Sequence, residues 1–221
     1  MEVKMNYFLL IAELIGTVAF AISGASLAVQ KRMDIFGIMF LGVVTALGGG
    51  TVRDVLLGHT PPRMFYNFHF VALAVISAVI VFLLARYRYC HGRELSDLND
   101  FLFTFCDALG LGIFAVIGTE AGVAAGHIEN PFFCIFLGMT TGVGGGIIRD
   151  MMCTDIPYVF KKHIYAVAAI VGSSVFYCLI RLGLDSTLAT VIGMASTVIL
   201  RLLTWRYRWN LPRVDSGAKS I

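Results

Sequence analysis

The sequence predicts an all-α polytopic membrane protein of seven transmembrane helices, six of them forming a 3+3 inverted repeat and a seventh added behind it. Three observations carry this. The chain of 221 residues is 58 % hydrophobic and 14 % charged, with a mean hydropathy of +0.82, so it lacks the polar residues to coat a water-soluble core. Apolar runs long enough to cross a hydrocarbon layer recur along its whole length. And Gly48-Gly49-Gly50-Thr51-Val52-Arg53-Asp54 returns as Gly144-Gly145-Gly146-Ile147-Ile148-Arg149-Asp150.

The spans read, in order, as Tyr7 to Val29, Ile35 to Leu57, Phe68 to Ala85, Phe101 to Ala125, Pro131 to Cys153, Ile164 to Leu182, and Ser186 to Trp205. The first is kept as a helix rather than removed as a signal peptide, because Lys4 is its only early cation and Glu13 interrupts the apolar stretch. Loop charge sets the orientation. Lys31 and Arg32; Arg86, Arg88 and Arg93; Lys161 and Lys162; and Arg206, Arg208, Arg213 and Lys219 all fall on one side of seven spans, with little beyond Arg63 and Arg181 on the other. The positive-inside rule then puts the N-terminus outside and the C-terminus in the cytoplasm. The tail from Asn210 onward is polar and reads as disordered.

The stretch from Glu13 to Gly24 aligns with that from Asp107 to Gly118 at a spacing of 94, and the glycine motifs align at 96, as do Pro61 with Pro157 and Ser77 with Ser173. Three spans per copy is an odd number, so the copies must point in opposite directions across the membrane, with a pseudo-two-fold axis in its plane. The division is 1–92 for the first repeat, 93–184 for the second, 185–205 for the seventh helix and 206–221 for the tail.

Three consecutive glycines weaken a helix by roughly 1 kcal/mol each relative to alanine. The second helix of each repeat is therefore expected to kink or break there, with Pro61 and Pro157 closing off the broken helices. Unwound, Gly48 to Gly50 and Gly144 to Gly146 would free backbone carbonyls near Gly48 and Gly144. With the hydroxyls of Thr45, Thr51, Thr140 and Thr141, these could replace part of a monovalent cation's hydration shell. The other reading is close helix packing through small residues.

This doubled GGG-x-x-RD in seven spans resembles the bacterial branch of the trimeric intracellular cation (TRIC) channel family, whose domain also carries an older glycine-transporter label. The resemblance covers nearly the whole chain. It implies a homotrimer in which each subunit has its own pathway for potassium or sodium, bounded by the two glycine-bearing helices. Animal members also carry a lysine motif tied to a gating lipid, which is not identified in this chain. Self-association and membrane lipid are the expected partners.

Ionisable residues inside spans face the bundle interior or water, and need partners. Arg53 lies near the outer end of its span and Arg149 near the inner end of its own. Asp54 and Asp150, one residue further along, leave the helix in other directions and read as poor direct partners. Inverted symmetry instead pairs Arg53 with Glu13 and Arg149 with Asp107, unless both arginines only snorkel. A cationic side chain in a cation pathway would also gate it. Glu120 reads as a vestibule carboxylate or an interfacial one, and Tyr165 as part of an interface belt.

The cysteines Cys90, Cys106, Cys134, Cys153 and Cys178 are scattered and odd in number, and the five histidines show no ligand spacing, so neither a disulfide framework nor a metal centre is expected. No nucleophile, base and orienting group occur together, and the glycines lack the Lys-Ser/Thr of a phosphate loop. An enzyme is not expected, nor a cofactor. The net charge of +3 reads as topology and not as nucleic-acid binding. A homotrimeric cation channel of the inner membrane leads, and a secondary transporter of glycine or a similar zwitterion is the alternative, since inverted repeats are equally a carrier architecture.

Overall fold

The computed structural model describes residues 7–91, 96–161, 164–207 and 209. Seven long helices follow one another: α1 (Tyr7–Gln30), α2 (Ile35–Leu56), α3 (Phe68–Cys90), α4 (Ser96–Gly122), α5 (Pro131–Met152), α6 (Tyr165–Arg181) and α7 (Ser186–Arg206). A 3-10 turn at Arg63–Phe65 and a single α-turn at Tyr158–Lys161 sit in the loops. Six of these helices are long and apolar enough to span a membrane, and α6 is a shorter apolar helix. The expected boundaries hold to within a few residues. α3 runs five residues past Ala85, so Arg86 and Arg88 lie on its last turns and not in a loop. Arg93, Lys162, Arg208, Arg213, Lys219 and the tail beyond 209 lie outside the described residues.

Local chemistry fixes the ends. Asp34 accepts from the Gly37 amide at 2.7 Å and Asn130 from the Phe133 amide at 3.0 Å, capping α2 and α5, which removes one of the unsatisfied donors at each start. Gly126, at φ +89°, turns the chain between α4 and α5 in a conformation that a Cβ would strain.

Each repeat packs its three helices against one another, and the two repeats meet through α1 against α4 and α2 against α5. Phe20 stacks on its repeat mate Phe114, with centroids 5.3 Å apart, at the centre of the largest buried cluster. α7 lies outside the repeat and covers α4 and α6. It docks through small groups: a Cβ on Gly172 or Gly193 would strike Thr197 or Phe176, and one on Gly112 would strike the Met194 carbonyl. Between membrane helices, where lipid is as apolar as leucine, such close backbone approach supplies the dispersion energy of association.

The expected break at the glycine triplets does not occur. α2 and α5 both continue as α-helix through them, so the carbonyls near Gly48 and Gly144 stay within the helical ladder. The triplets serve a crossing. A Cβ on Gly49 would overlap the Thr141 carbonyl oxygen, and one on Gly145 the Thr45 carbonyl oxygen, a reciprocal pair related by the pseudo-axis. Gly48 and Gly144 also face the other helix, with Ile148 and Gly49 next to their missing Cβ positions. Two helices that touch backbone to backbone at mid-span need glycine at the contact, and the packing reading is the one the geometry supports.

Candidate functional site

Two charged clusters flank this crossing, one toward the face where the chain begins and one toward the opposite face. At the first, Arg53 and Asp54 come from the last turns of α2. Arg53 Nε and Nη2 both donate to Asp54 Oδ1 at 2.9 Å, and Nη1 lies 3.9 Å from Glu13 Oε1 on α1. Asp54 Oδ2 also accepts from the Arg63 amide at 2.9 Å, tying the loop after α2 to that helix's end. The arrangement lines a cavity of about 720 Å³ formed by α1, α2, the start of α3 and the end of α4. Glu13, Thr17, Gly50, Thr51, His69 and Glu120 are among its walls.

At the second cluster Arg149 is fully buried. Its Nη1 donates to Asp107 Oδ1 and to Ser23 Oγ, each at 2.7 Å, and its Nε donates to Asp150 Oδ1 at 2.8 Å. The Tyr165 hydroxyl donates to Asp107 Oδ1 at 3.3 Å, and Phe103 lies under the guanidinium, 5.0 Å from its carbon. Arg201 of α7 completes the group, with Nη2 3.8 Å from Asp107 Oδ2 and its guanidinium 4.6 Å over the Tyr165 ring. Ion pairs this buried need additional hydrogen bonds to offset desolvation, and Ser23 and Tyr165 supply them.

Both expected ion pairs, Arg53 with Glu13 and Arg149 with Asp107, are present, so neither arginine is left to snorkel. The expectation that Asp54 and Asp150 would be poor partners is overturned: each bonds the arginine beside it, because the guanidinium arm is long enough to curl back around its own helix. Thr45 and Thr141 are not available to a cation. Each donates to the carbonyl four residues back, Leu41 or Leu137, at 2.6 Å, the usual local bond of a mid-helix threonine, and each is packed against a glycine of the adjacent helix, Gly24 or Gly118. Thr51 borders the cavity, donating to Leu47 O at 3.0 Å with Met64 Sδ at the same distance. Thr140 bonds Phe136 O and Leu137 O.

Tyr165, 1 % exposed, is a member of the buried cluster and not of an interface belt. Arg201 and Ser23 were not anticipated. A lone arginine within the apolar span Ser186 to Trp205 is the signal that could have found Arg201; no pattern marks Ser23. The cysteines are free, and among the described residues no group of three metal-ligating side chains assembles. Outside the bundle, Lys31 Nζ donates to Asp155 at 2.8 Å, joining the loop after α1 to the chain after α5. That hydrogen bond raises the lysine's pKa.

The model of the glycine transporter family matches residues 10–86 and 104–181, one stretch in each repeat. A UPF0126 membrane protein of Vibrio cholerae is 35 % identical over 92 % of this chain and 82 % of its own length. The UPF0126 inner membrane protein YadS of Escherichia coli is 36 % identical over 90 % of this chain and 93 % of its own. Among solved structures, a prokaryotic TRIC channel crystallised in 0.5 M KCl superposes with a TM-score of 0.83 at 31 % identity, over 94 % of this chain and all of that one. A second, solved to explain conductance through TRIC cation channels, gives 0.81 at 34 % identity over 94 % of this chain and 98 % of its own. The trimeric intracellular cation channel orthologue of Rhodobacter sphaeroides gives 0.82 at 31 % identity over 91 % of this chain and 98 % of its own. These structural neighbours are cation channels and not enzymes.

Proposed function

This chain belongs to the TRIC channel family, together with the UPF0126 membrane proteins, and on that premise we propose that it is a homotrimeric channel for potassium and sodium in a bacterial inner membrane. Each subunit carries its own route, the N-terminus lies outside and the C-terminus in the cytoplasm. The observation that carries this reading is the cavity against the Gly50–Thr51 turn of α2, whose walls hold Glu13, Glu120 and Asp54. Carboxylates at a low-dielectric mouth raise the local cation concentration. From there the route passes Arg53, runs along the crossing, and leaves past Arg149 at the other face.

On this reading Arg149, held by Asp107, Asp150 and Ser23, stands in the way of a permeant cation and keeps the route shut. Opening requires that arginine to move or to be neutralised. No unwound carbonyls are needed: water and the vestibule carboxylates solvate the ion up to the crossing.

A carrier for glycine or a similar zwitterion is the second reading. It is favoured by the same cavity, where arginines Arg53 and Arg63 face acids Glu13 and Glu120 and could bind an ammonium and a carboxylate together. Purified protein in a planar bilayer separates the two. The channel gives unitary currents that reverse at the potassium equilibrium potential under a potassium gradient. Saturable glycine flux without unitary steps would replace it with the carrier.

A further inference from the structure

The buried cluster draws a second arginine from α7, outside the repeat, and that arginine is under-used. Asp107 is 1 % exposed, and its Oδ1 is crowded by Arg149 at 2.7 Å, Tyr165 at 3.3 Å and Ser23 at 3.5 Å. Its Oδ2 faces Arg201 Nη2 at 3.8 Å, near enough for charge attraction and too far for a hydrogen bond. Arg201 is itself 4 % exposed, and among the described residues its buried Nε has no hydrogen-bond partner.

An unsatisfied donor on a buried cation is costly to maintain, and an arginine held so, one short step from a carboxylate already paired, is arranged as a reserve partner. Resting on the channel reading above, we propose that Asp107 is passed between two arginines: Arg149 holds it while the route is shut, and Arg201 takes it when Arg149 swings away. Without Arg201 that movement would strand Asp107 in a dry interior. The other repeat shows why a buried reserve partner is needed only here. Glu13, the symmetry mate of Asp107, has a side chain 30 % exposed at the cavity wall, so solvent can receive it when Arg53 moves. Asp107 has no such outlet. Its substitute comes from α7, which lies outside the repeat and has no counterpart at the first cluster. Arg201 is thus a positioning residue, acting on the pathway through Asp107.

The test combines bilayer recording with thermal unfolding of detergent-solubilised protein, for R201M, R201K, R149M and R149M/R201M. The R201M channel is expected to keep its unitary conductance but to show an open probability several-fold below wild type, with R201K recovering part of the loss. In unfolding, the R149M/R201M double variant is expected to lose more melting temperature than the two single variants together, because only there does Asp107 lack any cation. If R201M does not fold, Arg201→Gln, which keeps donors without the charge, takes its place in both measurements. Additive losses in melting temperature would overturn the exchange, as would an open probability in R201M that is unchanged or raised. A wild type without unitary currents counts against the channel reading alone, and the unfolding cycle then still decides the exchange.

Discussion

The two repeats share a backbone plan and differ in what surrounds the same arginine. Around Arg53 the neighbours on α1 and α3 are Glu13 and His69, both on the wall of a cavity. The aligned positions around Arg149 hold Asp107 and Tyr165, each 1 % exposed, and Ser23 stands where the first repeat's cluster has Ile117. α7 then covers the second repeat and adds Arg201. Inverted duplication thus supplies a matched pair of Arg-Asp turns at opposite faces. A handful of side chains and one extra helix make one turn border a cavity and leave the other fully buried. On the proposed route these additions would set access, while the crossing between the clusters stays symmetrical.

The sharpest way to break this contrast is to remove each arginine in turn. R149M leaves Asp107 and Asp150 buried beside a missing charge and should lose about 3–5 kcal/mol of stability, read as a large fall in the thermal melt. R53M should lose less, about 1–3 kcal/mol, because Asp54 keeps the Arg63 amide and Glu13 can turn to solvent. Equal losses would say that the two clusters are equally dry. Next come the crossing glycines. Gly49→Ala and Gly145→Ala should each cost about 1–3 kcal/mol by pushing α2 and α5 apart, and by similar amounts, because the contact is reciprocal. Unequal effects would show that the crossing is less symmetric than its geometry.

Smaller effects should fall on function. E120Q is expected to reduce unitary current at low salt and not at high salt, since an exposed field is screened beyond a Debye length of about 10 Å at 0.1 M ionic strength; a loss independent of salt would remove Glu120 from the vestibule. Least of all should change with Lys31→Ala, where a surface pair between the repeats is lost and the melt should not move measurably. Because the Asp155 hydrogen bond raises the lysine's pKa, whatever the pair contributes is fully present below the ordinary lysine value. It is lost only as pH rises through the raised one.

Much of this was legible in the chain. A spacing of 94 between Gly16 and Gly110 and of 96 between Gly49 and Gly145 is enough to demand the inverted fold, and the pairing of Arg53 with Glu13 and Arg149 with Asp107 follows from symmetry. The glycine triplets misled because glycine has two uses that composition cannot separate. What decides between unwinding and contact is the facing backbone, here the carbonyls of Thr45 and Thr141, and that is known only once α2 and α5 are placed against each other. The pairing of each arginine with the next residue escaped because helix-face arguments locate Cβ atoms, whereas a guanidinium ends several bonds away. Tyr165 sits at a span end in the sequence and in the core in space, since α6 begins beneath α7.

The most direct test of the central claim, that the route opens through the cavity bordered by Thr51, is one-sided block. Thr51→Cys would be recorded with the exposed native Cys90 and Cys178 replaced by serine, while a membrane-impermeant cationic thiol reagent is added to each side in turn. Loss of unitary current is expected from the side that carries the N-terminus and not from the other. Full labelling of Cys at that position with currents unchanged would contradict it.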